Sequence, residues 1–72
     1  MSKKITKTWL ESKGFENNSI DLTEETKLFV DVSENYAEIS NFNARDCEVL
    51  GNDIKYQHQI EEIYKERSGK DL

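Results

Sequence analysis

The sequence has few of the residues on which catalytic and metal sites depend. Its 72 residues include one cysteine, one histidine and no proline. One cysteine excludes an intramolecular disulfide, and a single cysteine with a single histidine cannot supply the four ligands of a closed zinc site. The three glycines, Gly14, Gly51 and Gly69, all lie at predicted helix boundaries, so the sequence has no glycine-rich phosphate-binding loop. The sequence therefore predicts neither a bound metal nor a cofactor.

Long apolar runs are also lacking. None approaches the roughly 20 residues that a membrane-spanning helix requires. The lysines of the N-terminal "MSKKITKTWLESK" are not followed by the apolar stretch of a secretory signal. We therefore expect no membrane partner and a location in the reducing cytoplasm. A chain this short buries only about 60% of the surface that its unfolded form exposes, so we expect a thin stability margin.

The lone cysteine, Cys47, and the lone histidine, His58, are the only candidates for a cysteine nucleophile and its base. Eleven positions and a turn separate them, so contact between them is possible. However, a domain of this size has little room for a substrate pocket. A lone cysteine within "CEVL" is more typical of a small buried hydrophobic residue. We therefore predict that the chain is not an enzyme.

Basic charge is scarce in the middle of the chain, although the net charge is only −5. Residues 1–15 have four lysines and one glutamate, residues 16–53 have ten acids against two bases, and in residues 54–72 the charges cancel. An acidic segment repels phosphate groups, so direct nucleic-acid binding is not expected except through the short basic N-terminus. The distribution fits a host protein with a basic surface as the partner. The alternative is a solvated acidic surface that only aids solubility.

The segment "TKTWLESKGF" carries the signals of a short helix at both ends. Thr6 is the predicted N-cap. Gly14 follows the C-cap, and Phe15 is placed to contact Leu10 in a Schellman motif. These signals predict a helix over residues 7–13.

The middle of the chain alternates apolar and polar residues, as half-buried strands do. The alternating segments are "SIDL", "KLFVDV" and "YAEISNF". The polar "SEN" between the last two segments indicates a hairpin, and "CEVL" is a candidate for a fourth strand. In a competing interpretation, Thr23 caps a helical turn formed by "EETKLF".

The C-terminal "IKYQHQIEEIYKERSGKDL" is predicted to form a helix that a preceding "GND" caps and that ends at Ser68 and Gly69. On a helical wheel the core stripe is centred on Ile60. That stripe also contains Tyr56, Gln57, Ile63, Tyr64 and Arg67. His58 falls almost opposite Ile60, so it is predicted to face solvent. The outer stripe that contains His58 also includes Ile54, Glu61, Glu62 and Lys65.

These elements predict a small α+β fold, a single domain over residues 1–72. A helix is followed by an antiparallel sheet of three strands, or of four if "CEVL" is a strand, and then by a second helix, with both helices on one sheet face. The side chains expected to point toward the helices are Ile20, Leu22, Leu28, Val30, Val32, Ala37 and Ile39. The opposite face would present Asp21, Phe29, Asp31, Tyr36, Glu38 and Phe42. Aromatic rings among acids are a common composition of binding surfaces; alternatively, one helix on each face would make these rings a second core layer.

Both ends of the chain resemble a group of small uncharacterised proteins from Bacteroides-type bacteria, their phages and their mobile elements. Those proteins have an N-terminal "WL…LGF", similar to "WLESKGFE" here, and a C-terminal helix of the form "YxHxLQxLYFxLTGxEL". The matching positions in that helix are Tyr56, His58, Gln59, Ile60, Ile63, Tyr64, Gly69 and Leu72. The chain departs from the pattern where it has Glu61, Glu62 and the charged run 65–67. The resemblance implies a mobile-element context and no activity.

Together, the residues and the resemblance predict a small acidic phage or mobile-element protein that binds and inhibits a host defence protein. A nucleic-acid-binding nuclease, such as a CRISPR effector, is the partner that an acidic surface would suit. The candidate contact residues are Asp21, Phe29, Asp31, Tyr36, Glu38, Phe42 and His58. The alternative is a structural or assembly protein that forms a homodimer or larger homo-oligomer through the sheet edge or the aromatic face.

Overall fold

The computed structural model describes residues 3–72, and these residues form two helices and four strands. In chain order the elements are α1 (Lys7–Ser12), β1 (Ser19–Asp21), β2 (Thr26–Asp31), β3 (Tyr36–Asn41), β4 (Asp46–Gly51) and α2 (Gln57–Ser68). The predicted α+β fold, with one helix before and one after an antiparallel sheet, is confirmed. The segment "CEVL" lies within β4, so the sheet has a fourth strand.

Helix α1 has both of its predicted end signals. The hydroxyl of Thr6 accepts a hydrogen bond from the backbone N–H of Trp9 at 3.1 Å. At the other end Gly14 has φ of +100°, and the N–H of Phe15 donates to the carbonyl of Leu10 at 3.1 Å. That bond is the long-range one of a Schellman motif. The helix ends one residue earlier than predicted.

The strands follow one another in the sheet in the order β1-β2-β3-β4, and every pair is antiparallel. Between β2 and β3, Leu28 lies opposite Ile39, and Val30 lies opposite Ala37. Buried and half-buried side chains alternate along β2 from Leu28 onward, which is the period of a strand. The alternative helical turn in "EETKLF" is therefore wrong.

A tight turn at Asn17 and Asn18 leads into β1. Both residues have positive φ, +52° and +67°, and Glu16 and Ser19 exchange two backbone hydrogen bonds of 2.8 and 3.0 Å. This is the pattern of a type I′ turn, whose left-handed positions asparagine tolerates better than most residues. This turn was not predicted from the sequence.

The β2–β3 and β3–β4 connections are four-residue loops of similar construction. An oxygen from the side chain of the preceding strand's last residue, Asp31 of β2 or Asn41 of β3, accepts the backbone N–H groups two and three residues further on. The last loop residue has positive φ in both cases, +53° at Asn35 and +51° at Arg45. The hairpin predicted at "SEN" is therefore confirmed, and the next hairpin repeats its design.

One hydrophobic core lies between the sheet and the two helices. Its buried members are Ile5, Leu10, Phe15, Leu22, Leu28, Val30, Ala37, Ile39, Ile54 and Ile60. Because residues from both helices pack with alternate residues of β2 and β3, both helices cover the same sheet face, as predicted. Ile20 and Val32, predicted to point toward the helices, are half-buried against this core. No polar or charged side chain within residues 3–72 is buried.

The start of α2 differs from the prediction. The three residues from Ile54 are not helical, and the helix begins at Gln57. The N–H of Ile54 donates to the carbonyl of Asn35 at 2.9 Å, and the N–H of Ile5 donates to the carbonyl of Lys55 at 2.8 Å. These tertiary hydrogen bonds attach the segment to the β2–β3 loop and to the residue before the N-cap of α1. Ile54, predicted on the outer stripe, is consequently buried.

The predicted cap at "GND" is also wrong, because Tyr56 is the N-cap of α2. The side chain of Gln59 supports this start. Its Oε1 accepts the backbone N–H groups of Lys55 and Tyr56 at 2.9 Å each, and its Nε2 donates to the carbonyl of Asp53 at 3.3 Å. The side chain of Gln59 therefore satisfies the backbone N–H groups of the two residues that precede the helix.

The inner side of α2 largely follows the wheel. Ile60 is buried, and Ile63 and Tyr64 are half-buried against the core. Arg67, assigned to the core stripe, is exposed, and its guanidinium forms an ion pair with Glu48 of β4. The helix ends at the predicted place, one residue before a glycine with φ of +76°.

Candidate functional site

The face of the sheet that points away from the helices, called the outer face below, is open. Successive side chains of a strand point to opposite faces, and those of Leu28, Val30, Ala37 and Ile39 point toward the helices. The outer face therefore consists of Ser19, Asp21, Lys27, Phe29, Asp31, Tyr36, Glu38, Ser40, Phe42, Cys47 and Val49.

No residue of the outer face is buried. Phe42 is 54% exposed and Val49 is 61% exposed, and Phe29 and Tyr36 are half-buried. In the part of the chain that the structure describes, no element packs over these side chains. The alternative in which the rings form a second core layer is therefore wrong.

Six of the seven predicted contact residues lie together on the outer face. They are Asp21, Phe29, Asp31, Tyr36, Glu38 and Phe42. His58 is separate from them, because it projects from the solvent side of α2, on the other side of the molecule. Its ring stacks on Tyr56, with centroids 5.9 Å apart and planes 8° apart. His58 is exposed, as predicted, but the structure does not place it with the other six.

Lys27 belongs to the outer face and was missed by sequence reasoning. Its ammonium lies 5.9 Å from the centroid of the Phe42 ring and 3.8 Å from Asp21 Oδ1. The period of two along β2 already placed Lys27 on the same side as Phe29, so the signal was present. The face thus has three carboxylates and one ammonium, and is acidic on balance.

Glu38 organises a small polar cluster at the β3–β4 pair. Its Oε2 accepts a hydrogen bond from the hydroxyl of Tyr36 at 3.2 Å and another from the thiol of Cys47. The hydrogen bond to Glu38, together with partial burial, raises the pKa of Cys47 above its usual value. Partial burial, and then the hydrogen bond to Glu38, raises the pKa of Tyr36. Both groups are therefore held in their neutral forms.

Asp31 is held in its charged form. The hydroxyl of Ser33 donates to Asp31 Oδ1 at 2.7 Å, and the N–H groups of Ser33 and Glu34 donate at 3.0 and 3.3 Å. These hydrogen bonds, that of the Ser33 hydroxyl first, lower the pKa of Asp31, while partial desolvation acts in the opposite direction. The carboxylate keeps its negative charge into the acidic range.

The structure does not bring Cys47 and His58 together as a nucleophile and its base. Cys47 is hydrogen-bonded to Glu38 and His58 is stacked on Tyr56, so neither contacts the other. A thiol with a raised pKa has less of the thiolate that acts as a nucleophile. Within residues 3–72, no three His, Cys, Asp or Glu residues are grouped in a way that could hold a metal ion.

A shallow groove lies at the end of the sheet where the β1–β2 and β3–β4 turns meet the C-terminal half of α2. It encloses about 320 Å³, and its lining includes Leu22, Ile39, Glu48 and Arg67. The lining also contains Asp46 and Cys47. Glu48 and Arg67 form an ion pair within the groove, and the thiol of Cys47 is hydrogen-bonded to Glu38.

The chain matches no protein-family model, no curated protein and no solved structure at a significant level. Neither helix within residues 3–72 has the length and apolar character needed to cross a bilayer. The assignment of a function therefore rests on the outer face.

Proposed function

We propose that the chain is a non-enzymatic inhibitor whose outer face docks on a basic surface of another protein. The observation that carries this proposal is an uncovered sheet face on which aromatic rings lie among an excess of carboxylates. Rings supply contact area, and acids select a basic partner and steer its approach. Inhibition would follow because the chain occupies a surface that the partner needs for a nucleic acid or another protein.

The size of the face sets a limit on the interface. Four strands spaced about 4.8 Å apart, three of them with six residues that rise about 3.3 Å each, span at most roughly 20 by 20 Å. That is about half of the roughly 800 Å² that each partner contributes to a standard interface. The loops at both ends of the sheet would have to take part, and they bring further acids, among them Glu24, Glu25 and Glu34.

The proposal also names a class of partner. An acidic surface competes best against phosphates, so a nucleic-acid-binding host protein is the expected class, with a defence nuclease such as a CRISPR effector as the specific candidate. The mobile-element origin rests on the resemblance at the two ends of the chain. In this proposal the chain itself contacts neither nucleic acid nor membrane.

The test compares two doubly neutralised variants as affinity baits in a lysate of the host cells. Asp31→Asn with Glu38→Gln removes two charges from the outer face while keeping oxygen acceptors for the local hydrogen bonds. The matched control, Glu61→Gln with Glu62→Gln, removes two charges from the exposed side of α2. The parent and the control should retain the same basic protein, and the outer-face variant should lose it.

Two further measurements connect capture with inhibition. Binding should weaken as salt is raised from about 0.1 M, where charges are screened beyond about 10 Å. Adding the parent chain should block nucleic-acid binding by the captured protein. Equal capture by both variants, or a captured protein that still binds nucleic acid at saturating amounts of the chain, would refute the proposal.

Self-association is a second candidate function. It is favoured by β4, an edge strand whose first four residues are exposed, and by the exposed side chain of Val49. Unpaired edges readily add another strand. A monomeric mass in solution at all accessible concentrations would exclude this candidate, whereas a stable dimer that protects the outer face would replace inhibition with assembly.

A further inference from the structure

The outer face already binds one cationic side chain of its own. The ammonium of Lys27 lies over the ring of Phe42 and beside the carboxylate of Asp21, at the distances given above. A cation within about 6 Å of a ring centroid is attracted by the negative face of the ring, and a nearby carboxylate adds to this attraction. These three residues show that a ring and a carboxylate of the outer face bind a cationic group together.

Phe29 also lies among carboxylates, but no cationic side chain of residues 3–72 lies over its ring. Glu38 lies directly opposite Phe29 in the β2–β3 ladder, and Asp31 follows it two positions along β2 on the same face. Directly opposite residues have Cβ atoms about 5 Å apart. One ring at the centre of the outer face is therefore flanked by two carboxylates.

The two carboxylates are oriented by local donors, and in each the donors reach only one oxygen. All three donors to Asp31 reach Oδ1, and both donors to Glu38 reach Oε2. A carboxylate has about four lone-pair sites on its two oxygens. Oδ2 of Asp31 and Oε1 of Glu38 therefore have acceptor capacity that no hydrogen bond among the described residues uses.

We propose that this centre is a site for an arginine side chain of the docked partner, with its guanidinium against the ring of Phe29 and its N–H groups directed at Asp31 and Glu38. The inference rests on the proposed docking of a basic protein, and it identifies the group by which that protein is recognised. A guanidinium is planar, stacks on aromatic rings and presents several donors in a fixed fork, whereas an ammonium is a compact and strongly hydrated point charge. Two carboxylates beside one ring suit the guanidinium.

The probe for this site is the peptide acetyl-Gly-Arg-Gly-Arg-Gly-amide, titrated into the ¹⁵N-labelled full chain at low salt. The lysine peptide of the same length and charge is the reference. The arginine peptide should shift the backbone signals of Phe29, Asp31 and Glu38, and it should bind more tightly than the lysine peptide.

Three variants of the chain test the role of the ring. Phe29→Leu keeps an apolar side chain and should weaken binding of the arginine peptide about two- to fivefold, which corresponds to about 0.5–1 kcal/mol for an exposed cation–π contact. Phe29→Trp should strengthen binding, because indole is the best ring for a cation. Tyr56→Leu is the matched control and should leave the affinity unchanged, because the ring of Tyr56 stacks on His58, away from the outer face.

The outcomes separate this site from the proposed function. If Phe29→Leu and the parent bind the arginine peptide equally, or the shifts lie away from Phe29, the arginine site is overturned, while salt-sensitive docking on Asp31 and Glu38 remains open to the lysate test. If the peptide binds at Phe29 but no host protein depends on the outer face, the arginine site stands and the inhibitory function fails.

Discussion

At the scale of single residues, the carboxylate of Glu38 controls its neighbours. It accepts hydrogen bonds from the thiol of Cys47 and the hydroxyl of Tyr36. The only cysteine of the chain therefore lies beside a negative charge. The position explains why an exposed thiol on this surface is poorly suited to nucleophilic chemistry. It also gives the thiol a measurable signature.

We expect Cys47 to react slowly with iodoacetamide at neutral pH, because its raised pKa lowers the thiolate fraction. The profile of rate against pH should lie at higher pH than that of an unperturbed thiol. Glu38→Gln removes the neighbouring charge and should increase the rate at pH 7 severalfold. Glu48→Gln, on the other face of β4, is the control and should leave the rate unchanged. Equal rates for the parent and Glu38→Gln would show that Glu38 does not govern this thiol.

At the scale of elements, the two four-residue loops share one backbone design but not one sequence. The left-handed position at the end of the first loop is filled by Asn35, and the same position of the second loop is filled by Arg45. Left-handed backbone costs most L residues roughly 1–2 kcal/mol, and asparagine less. The second hairpin is therefore closed by the less suitable residue.

Arg45→Asn should stabilise the chain by about 1 kcal/mol, because asparagine adopts the left-handed conformation more readily. The matched exchange, Asn35→Arg, should destabilise it by a similar amount. Urea unfolding followed by circular dichroism measures both changes in the free energy of unfolding. Unchanged m-values would show that the exchanges do not alter the surface exposed on unfolding. Shifts of the unfolding midpoint in the same direction for the two exchanges would contradict this expectation.

The elements also show what a single sequence can and cannot specify. The signals at both ends of α1 were identified correctly, and its bounds to within one residue, because Thr6 and Gly14 act through hydrogen bonds within the helix and its first flanking residues. The start of α2 was predicted wrongly, because Ile54 is hydrogen-bonded to Asn35 and its neighbour Lys55 to Ile5, partners that are distant in sequence. Local signals predict local structure, and these contacts are not local.

The candidate site, too, was predicted correctly where the signal is local and not where it depends on tertiary packing. Alternation along β1, β2 and β3, continued to Phe42 just after β3, placed six contact residues on one face correctly, since the period of two is a property of each strand. Whether that face is covered depends on where both helices pack, and the alternation within a strand does not determine this. His58 was grouped with the six from the resemblance and the wheel, and the orientation of α2 separates it from them.

At the scale of the whole molecule, acid should destabilise the fold through Asp31. Its pKa is lower in the folded chain than in the unfolded chain, so the unfolded state takes up the proton first as pH falls. The stabilising contribution is complete above the unfolded pKa of about 3.9 and is lost as pH falls through the lower folded pKa. The β2–β3 loop is therefore a source of acid sensitivity.

The stability of Asp31→Asn should depend less on pH than that of the parent, because asparagine keeps the oxygen acceptor but does not titrate. Ser33→Ala, which removes the donor that contributes most, should also reduce the dependence. Urea unfolding of the three chains at steps from pH 6 to pH 3 measures the effect. Parallel stability curves for all three would contradict the assignment.

The order β1-β2-β3-β4 has a kinetic consequence. Each strand pairs with the next one along the chain, so the sheet can assemble as successive hairpins that close only short loops, and such low contact order favours rapid folding. The exception is the junction near the two helices, where the N–H of Ile5 reaches the carbonyl of Lys55. That contact must close a loop of about fifty residues and bears a larger entropic cost, which would make the junction the late event in folding and the first part of the molecule to open.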